Sequence, residues 1–280
     1  MIDLHVHSTY SDGTSTPEEL ILLAEQTGLE AVALCDHNTV AGLPLFLEAA
    51  KGKHLQAIPG IEFSTDYHGT ELHILGLFIE QEHYDAVTDK VNEMLIRKEQ
   101  SNRDLVEALN SAGMCLDYDA IRAGTPNGQV NRAVIAAEMV RKGYCDSVQV
   151  CFKQWLSPKR GYYKPPERLD VFDVIRFIKS IGAVAVLAHP FLNLEEAPLR
   201  QFLKEAVPQG LDAMEVYYPK FSPEQTETAC AIATEYGLAF SGGSDFHGEN
   251  KPDIQIGTGK GDLEIPSTFL EKIIIRKNVK

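Results

Sequence analysis

The amino-acid sequence predicts an α/β fold in which helices cover a mainly parallel sheet. Short apolar segments alternate with helical patterns along much of the chain, as they do in repeated strand–helix units. Some of these segments, such as 31–35 (AVALC) and 183–188 (AVAVLA), are apolar throughout, which is typical of strands buried on both faces. The length of 280 residues is one that α/β barrels commonly reach as a single domain.

Seven strands are expected, and helices separate most of them. The strands are expected at residues 2–6, 31–35, 56–63, 72–78, 183–188, 212–218 and 238–244. Helices are expected from residue 17 to Gly28 and at about 43–50, 171–182, 199–207 and 223–237. The first helix has a clear start, because Thr16 can cap it, Pro17 takes its first position and Glu19 completes a capping box. The third and fourth strands follow each other almost directly, which favours a hairpin.

Residues 80–168 interrupt this alternation. Helices are expected at 83–112 and 128–143, and 157–168 is a loop rich in proline and glycine. This segment holds 13 acidic and 13 basic residues, whereas the whole chain carries a net charge of −14. We therefore expect a mostly helical insertion, 80–168, that covers the active site of a barrel built from 1–79 and 169–280.

Composition excludes several classes of protein. An acidic balance argues against a nucleic-acid coat, which needs a basic surface. No stretch approaches the roughly 18 apolar residues of a membrane span, and no signal peptide is visible. The cysteines are scattered and form no C-x-x-C pair, so we expect free, reduced thiols and a cytoplasmic protein. These cysteines are Cys35, Cys115, Cys145, Cys151 and Cys230. We also expect no membrane contact and no obligate protein partner.

Nine polar residues that could bind metal lie on predicted strands or just after them. Any one of them alone is more often structural, and even His5 and His7, which share one face of a strand, leave both interpretations open. In a barrel of parallel strands, however, the carboxyl ends meet at one face. Six imidazoles and three carboxylates are too many for one ion and suit two or three divalent cations, such as Mn²⁺, Fe²⁺ or Zn²⁺. The nine are His5, His7, Asp12, His37, Glu62, His73, His189, Asp245 and His247.

These residues lie in motifs that resemble those of the polymerase-and-histidinol-phosphatase (PHP) family. The motifs are HVHSTYSDG, LCDHNT, PGIEFS, ELHILG, LAHP and GGSDFHG. The resemblance implies a distorted (β/α)₇ barrel, a trinuclear metal site and phosphoester hydrolysis. It also implies three ligand sets: His5, His7, Glu62 and Asp245 for one metal; Glu62, His73 and His189 for a second; and Asp12, His37 and His247 for the third.

Metal ions of this kind would activate water for attack on a phosphoester, so we expect a metal-activated hydroxide and no side-chain nucleophile. Asp36 is expected either to orient a ligand residue without binding metal itself or to cap a helix. Glu215 is likewise expected to contact ligand residues rather than the metal. In the insertion, an arginine-bearing loop and helix are expected to bind substrate phosphate. The residues concerned are Asn131, Arg132, Lys159 and Arg160.

The chain layout resembles the PHP subfamily that removes the 3′-phosphate of nucleoside 3′,5′-bisphosphates and is associated with trimming short RNA from its 5′ end. A small phosphorylated substrate, a nucleotide or a short RNA, is therefore expected. Two alternatives stay open at this point. One is a phosphatase for a small metabolite such as histidinol phosphate, and the other is a non-catalytic metal-binding regulatory module.

Overall fold

The computed structural model describes residues 1–125 and 130–278. The chain divides into two compact units, which are described separately below. The first combines Met1–Asp89 with Leu169–Lys280, and the second is Lys90–Arg168. Residues 128 and 129, with which the second predicted helix of the insertion begins, lie outside the described residues.

The described residues of the first unit form eight strands. They are β1 (Ile2–Val6), β2 (Ala31–Leu34), β3 (Gln56–Tyr67), β4 (Thr70–Leu77), β5 (Leu169–Asp170), β6 (Val184–Leu187), β7 (Ala213–Tyr217) and β8 (Ala239–Gly242). Seven of them follow the order β1-β2-β3-β4-β6-β7-β8, and the short β5 pairs with β3. Each of the seven predicted strands is present within a few residues of its expected bounds.

The sheet is parallel except around β4, which runs antiparallel to both β3 and β6. The predicted hairpin between β3 and β4 is thus confirmed. The two ends of the sheet meet beyond the last strand, where the backbone N–H of His7 donates to the carbonyl of Phe246 at 3.0 Å and that of Asp245 donates to His5 at 2.8 Å. The result is a nearly closed, distorted α/β barrel, as predicted.

Helices follow most strands of this unit. They are α1 (Pro17–Gln26), α2 (Leu43–Ala49), α7 (Val171–Ser180), α8 (Glu196–Ala206), α9 (Pro223–Glu235) and α10 (Thr268–Asn278). The predicted capping box of α1 is present, because the Thr16 hydroxyl accepts from the N–H of Glu19 and the Glu19 carboxylate accepts from the N–H of Thr16. In α7, Val174, Ile175 and Ile178 are fully buried, which is what an amphipathic helix against a sheet requires.

The second unit is helical. Helix α3 (Tyr84–Ser111) leads into it, and α4 (Tyr118–Ala123), α5 (Arg132–Arg141) and α6 (Val148–Cys151) follow. Their buried side chains form one apolar cluster that includes Leu105, Leu109, Ile135 and Met139. A single turn of π-helix, Phe152–Leu156, continues α6.

One expectation about the cysteines is wrong. The structure pairs Cys145 with Cys151 in a disulfide, with Cα atoms 5.6 Å apart, whereas free thiols were expected throughout. The turn before α6 places these two side chains together, and the sequence has no motif that marks the pair. Cys35, Cys115 and Cys230 are free. Among the described residues, no helix is long and apolar enough to cross a membrane.

Candidate metal centre

All nine predicted ligands lie in the first unit, at one end of its sheet. His5 belongs to β1, Glu62 to β3 and His73 to β4. The others follow strands directly: His7 and Asp12 come after β1, His37 after β2, His189 after β6, and Asp245 and His247 after β8. The barrel topology brings them together, because the parallel strands present their carboxyl ends at one face and the antiparallel β4 presents its amino-terminal half there.

The fully buried carboxylate of Glu62 is the centre of this cluster. Its Oε1 lies 2.7 Å from His73 Nδ1 and 2.9 Å from His189 Nε2. Its Oε2 lies 3.0 Å from His37 Nδ1, 3.2 Å from His7 Nε2 and 3.3 Å from His5 Nε2. One carboxylate therefore faces five imidazoles, as a carboxylate that bridges two cations would.

A second focus forms around Asp12 and Asp245. Asp12 Oδ1 lies 3.1 Å from His247 Nε2 and 3.7 Å from His7 Nδ1. Asp245 Oδ1 lies 3.2 Å from His7 Nε2 and 3.4 Å from His247 Nδ1. His7 thus lies between the two carboxylates and Glu62, and it can contribute either ring nitrogen.

The described donor atoms form four groups in which all members lie within 4.8 Å of one another. These groups are His7, Asp12, His37 and His247; His5, His7 and Asp245; His5, Glu62 and His189; and His37, Glu62 and His73. Every one of the nine predicted residues belongs to at least one group. The set implied for the third metal lies within the first group, whereas Glu62 and its histidines divide differently from the implied sets. The ligand assignment itself stays a prediction.

The donors fit divalent cations better than they fit one another. His7 Nδ1, His37 Nδ1 and Glu62 Oε2 are buried and form no hydrogen bond of suitable geometry. His37 Nδ1 and Glu62 Oε2 nevertheless lie only 3.0 Å apart. His5 Nδ1 donates to Glu215 Oε1 at 3.0 Å, so in the neutral ring, the form that binds metal, the other nitrogen, Nε2, carries the lone pair. That lone pair lies 3.0 Å from His7 Nε2 and beside Glu62. A buried set of lone pairs and carboxylate oxygens needs positive charge between its members, either protons or metal ions.

Electrostatics keep the carboxylates charged despite burial. Burial favours the neutral form of Glu62, but the imidazoles around it, His5 and His73 foremost, hold the pKa of this carboxyl well below its usual range. The same balance lowers the pKa of Asp245, with His7 and His5 opposing the effect of burial. Burial alone would lower the pKa of His73, but the charge of Glu62 raises it, and the net effect is a rise to about 9. Without metal, the cluster therefore holds protons that a metal ion would displace.

Glu215, predicted to lie behind the ligands, contacts two of them. Its Oε1 accepts from His5 Nδ1, and its Oε2 accepts from the backbone N–H of His189 at 2.7 Å. His189 has φ 28°, which L-residues rarely adopt. Glu215 thus fixes both a ring orientation and a strained backbone, as outer groups at metal sites do.

Asp36 holds the loop after β1 rather than capping a helix. Its Oδ1 accepts from the Ser8 N–H and the Ser11 hydroxyl, both at 2.7 Å, and its Oδ2 accepts from the Ser8 hydroxyl at 2.6 Å. This loop carries Asp12. Of the two interpretations left open by the sequence, the orienting one describes these contacts.

Three residues that sequence reasoning did not select also hold the centre. Tyr218 Oη and Lys251 Nζ donate to Asp245 Oδ2 at 2.7 Å and 2.6 Å. Asp3 is fully buried and accepts from the N–H and the hydroxyl of Ser244 at 2.9 Å and 2.6 Å. An acidic residue in a buried strand was the available signal for Asp3. Nothing in the local sequence marks Tyr218 or Lys251.

The four predicted substrate residues lie in the second unit, and three of them have a local contact there. Asn131 caps α5 by accepting from the N–H of Val134 at 3.0 Å. The Arg132 guanidinium lies over the Tyr163 ring, 4.4 Å from its centroid. Arg160 Nε donates to the Lys153 carbonyl at 2.8 Å, and Lys159 is exposed. Their contact with substrate stays a prediction.

Comparison with known families identifies the chain. The sequence model of the PHP domain family matches residues 3–161 of this chain, which is more than half of its length. The chain belongs to the PHP family. It is accordingly a metal-dependent hydrolase that acts on phosphoester bonds, and the sequence-based identification of the family and reaction class is confirmed.

Three curated PHP relatives are similar to almost the whole chain. A 5′-3′ exoribonuclease from Haemophilus influenzae is 32% identical over 88% of this chain and 89% of its own length. A phosphoribosyl 1,2-cyclic phosphate 1,2-diphosphodiesterase from Eggerthella lenta is 31% identical over 88% and 94%. A 3′,5′-nucleoside bisphosphate phosphatase from Chromobacterium violaceum is 27% identical over 90% of each.

A solved structure supports the fold. A protein from Bifidobacterium adolescentis, described as a metal-dependent phosphoesterase, superposes with a TM-score of 0.72 at 27% identity. The match covers 98% of this chain and 96% of that one. The fold of that phosphoesterase therefore accounts for almost the whole chain.

Proposed function

We propose that this PHP enzyme removes the 3′-phosphate from nucleoside 3′,5′-bisphosphates and also shortens RNA from its 5′ end. The observation that carries the proposal is the cluster around Glu62, in which one buried carboxylate faces five imidazoles at 2.7–3.3 Å. Such a cluster suits hydrolysis of an ester of phosphate at two or more cations. The exoribonuclease and the bisphosphate phosphatase, each similar over about nine-tenths of this chain, support the choice of substrate.

We propose that the nine clustered residues hold two or three divalent cations, with Mn²⁺, Fe²⁺ and Zn²⁺ the candidates. Mixed imidazole and carboxylate donors suit these borderline ions. When bound, such ions bind phosphate oxygens, make water acidic enough to act as a nucleophile near neutral pH and stabilise charge on the leaving oxygen.

The protein's own groups supply orientation. Glu215 accepts a hydrogen bond from His5 Nδ1, and this contact keeps the other ring nitrogen, Nε2, turned toward Glu62. Tyr218 and Lys251 occupy Asp245 Oδ2, which leaves Oδ1 facing His7. The ligands are therefore held in place before substrate arrives, and such positioning is a large part of catalysis by metal sites.

A second candidate is hydrolysis of a cyclic phosphodiester on ribose. The Eggerthella lenta diphosphodiesterase is as similar to this chain as the exoribonuclease is, and the match covers 94% of its length. The same cluster could act on either ester, because the chemistry at phosphorus is shared. Substrate preference separates the two candidates.

Phosphate release on a matched panel tests the proposal. The Mn²⁺-loaded protein would be assayed on adenosine 3′,5′-bisphosphate, AMP, histidinol phosphate, ribose 1,2-cyclic phosphate 5-phosphate and a short 5′-phosphorylated RNA. We expect conversion of the bisphosphate to AMP, lost in His189→Ala and kept in His54→Ala, a variant of an exposed histidine. Preference for the cyclic ester would favour the second candidate, and preference for histidinol phosphate would overturn both.

A further inference from the structure

A line of aromatic rings leads away from the metal centre on the first unit. The ring of the candidate ligand His189 lies 5.4 Å from that of Tyr218, centroid to centroid. Tyr218 lies 5.2 Å from Phe221, and Phe221 lies 5.5 Å from Phe191. Tyr218 is buried, whereas Phe191 and Phe221 are partly exposed. The line therefore ends at two rings that solvent can reach.

Phe191 lines a cavity of about 240 Å³ between the first turns of α8 and α9. These helices follow β6 and β7, so their first turns lie at the strand ends that also carry His189 and Glu215. Phe191 itself comes two residues after His189. The cavity is thus a near neighbour of the metal centre, and it contains none of the nine candidate ligands.

The charged residues that line this cavity are all acidic, and Gln225 and Thr228 add neutral polar groups. The acidic residues are Glu195, Glu196 and Glu224. Glu196 accepts from Arg200 Nε at 2.9 Å and Glu224 accepts from the Ser222 hydroxyl at 2.8 Å. Glu195 precedes α8 but its side chain does not cap the helix. Carboxylates repel a phosphate group, so the cavity suits an uncharged part of a substrate that donates hydrogen bonds.

We propose that this cavity binds the nucleobase of the substrate, with Phe191 stacking on the base and Glu195 accepting a hydrogen bond from its exocyclic amino group. The inference rests on the proposed function, because it adds a base-binding subsite to a nucleotide-directed centre. Aromatic stacking tolerates any base, whereas a carboxylate acceptor selects bases that carry an amino group, such as adenine. Acidic residues at one end and cations at the other would fix the direction in which the nucleotide lies.

The test compares adenine with hypoxanthine, in which a carbonyl oxygen replaces the amino group. Binding of AMP and of IMP to the Mn²⁺-loaded protein would be measured by calorimetry, and KM and kcat would be measured with the two 3′,5′-bisphosphates. We expect about tenfold tighter binding of AMP, the usual scale of one hydrogen bond to a charged group. The Glu195→Gln variant should lose this difference, since its amide can donate to the hypoxanthine oxygen.

Phe191→Ala should weaken both nucleotides about tenfold, as loss of one base stack does, and should raise KM with little change in kcat. Leu192→Ala is the matched control, because Leu192 lies on the same turn, is 44% exposed and does not line the cavity. Ribose 5-phosphate, which has no base, should bind equally to all variants.

The outcomes separate this inference from the proposed function. Three outcomes would overturn the base site even if the bisphosphate is cleaved: equal binding of AMP and IMP by the unmodified protein, a preference for AMP that survives in Glu195→Gln, or unchanged nucleotide affinity in Phe191→Ala. If the bisphosphate is not cleaved but AMP binding follows the expected pattern, the base site stands and the proposed reaction falls.

Discussion

Replacing Glu215 by glutamine should weaken metal binding without unfolding the barrel. The carboxylate accepts two hydrogen bonds from ligand residues, from His5 Nδ1 at 3.0 Å and from the His189 N–H at 2.7 Å. A glutamine keeps the shape but offers one acceptor and one donor. If its oxygen faces His189, its amide donates to His5 Nδ1, and the ring proton moves to Nε2, where it blocks the lone pair that faces Glu62.

If the amide turns the other way, two donors face each other at the strained backbone of His189, which costs about 1–3 kcal/mol for an unsatisfied buried group. Either orientation harms the site, and changes of outer groups at metal centres typically cost about 10–100-fold in affinity. Competition with a chromophoric chelator would measure Mn²⁺ affinity, and circular dichroism would monitor folding. Glu205→Gln, on the surface of α8, is the control. Unchanged affinity in a folded Glu215→Gln protein would refute the orienting role.

Three further outcomes follow from the structure. Tyr218→Phe and Lys251→Met each remove one donor to Asp245 Oδ2, so each should lower Mn²⁺ affinity about tenfold, the lower end of the range for outer groups at metal sites. An equal loss in the exposed Lys260→Met would contradict this. In the metal-free protein the raised pKa of His73 stabilises the folded state below pH 6.5, and this contribution is lost as the pH rises toward about 9. Urea denaturation should therefore show a free energy of unfolding that falls over this interval, and the fall should be shallower in His73→Ala. A steeper or unchanged fall in the variant would count against this role of His73. Thr16→Ala removes the capping box of α1 and should lower the free energy of unfolding by about 1 kcal/mol with metal content unchanged, whereas a loss of metal would show that the helix start supports the site.

The fold and the candidate ligands were accessible from sequence because both depend on local patterns. Apolar segments such as 31–35 and 183–188 mark strands, and each ligand lies on a strand or follows one. Convergence of the ligands is then a consequence of parallel topology for all but His73, which lies on the antiparallel β4. Helices α4 and α6 went unpredicted because six and four residues are too few for helical periodicity to be recognised.

The outer contacts of the centre could not be predicted in the same way. Lys251 reaches Asp245 across a turn of 3₁₀-helix, and Tyr218 reaches it from the end of the neighbouring strand. No sequence periodicity, helical or strand-like, links these positions. The need for glycine at position 243 could not be predicted either, because it arises from a close approach: a side chain there would place its Cβ 2.2 Å from the Cβ of His5. The glycine is required by an approach of two strand ends that only the closed sheet creates.

Three buried carboxylates explain how the ligand loops keep their shape. Asp3 holds Ser244 beside Asp245, Asp36 holds the loop that carries Asp12, and Glu215 holds the backbone of His189. Each accepts from a backbone N–H next to or near a ligand, and Asp245 and His189 both have positive φ. Backbone strain at a ligand persists only where surrounding contacts enforce it. These loops are therefore positioned by hydrogen bonds that do not involve a metal, so removal of metal with a chelator should leave the barrel and its ligand loops in place.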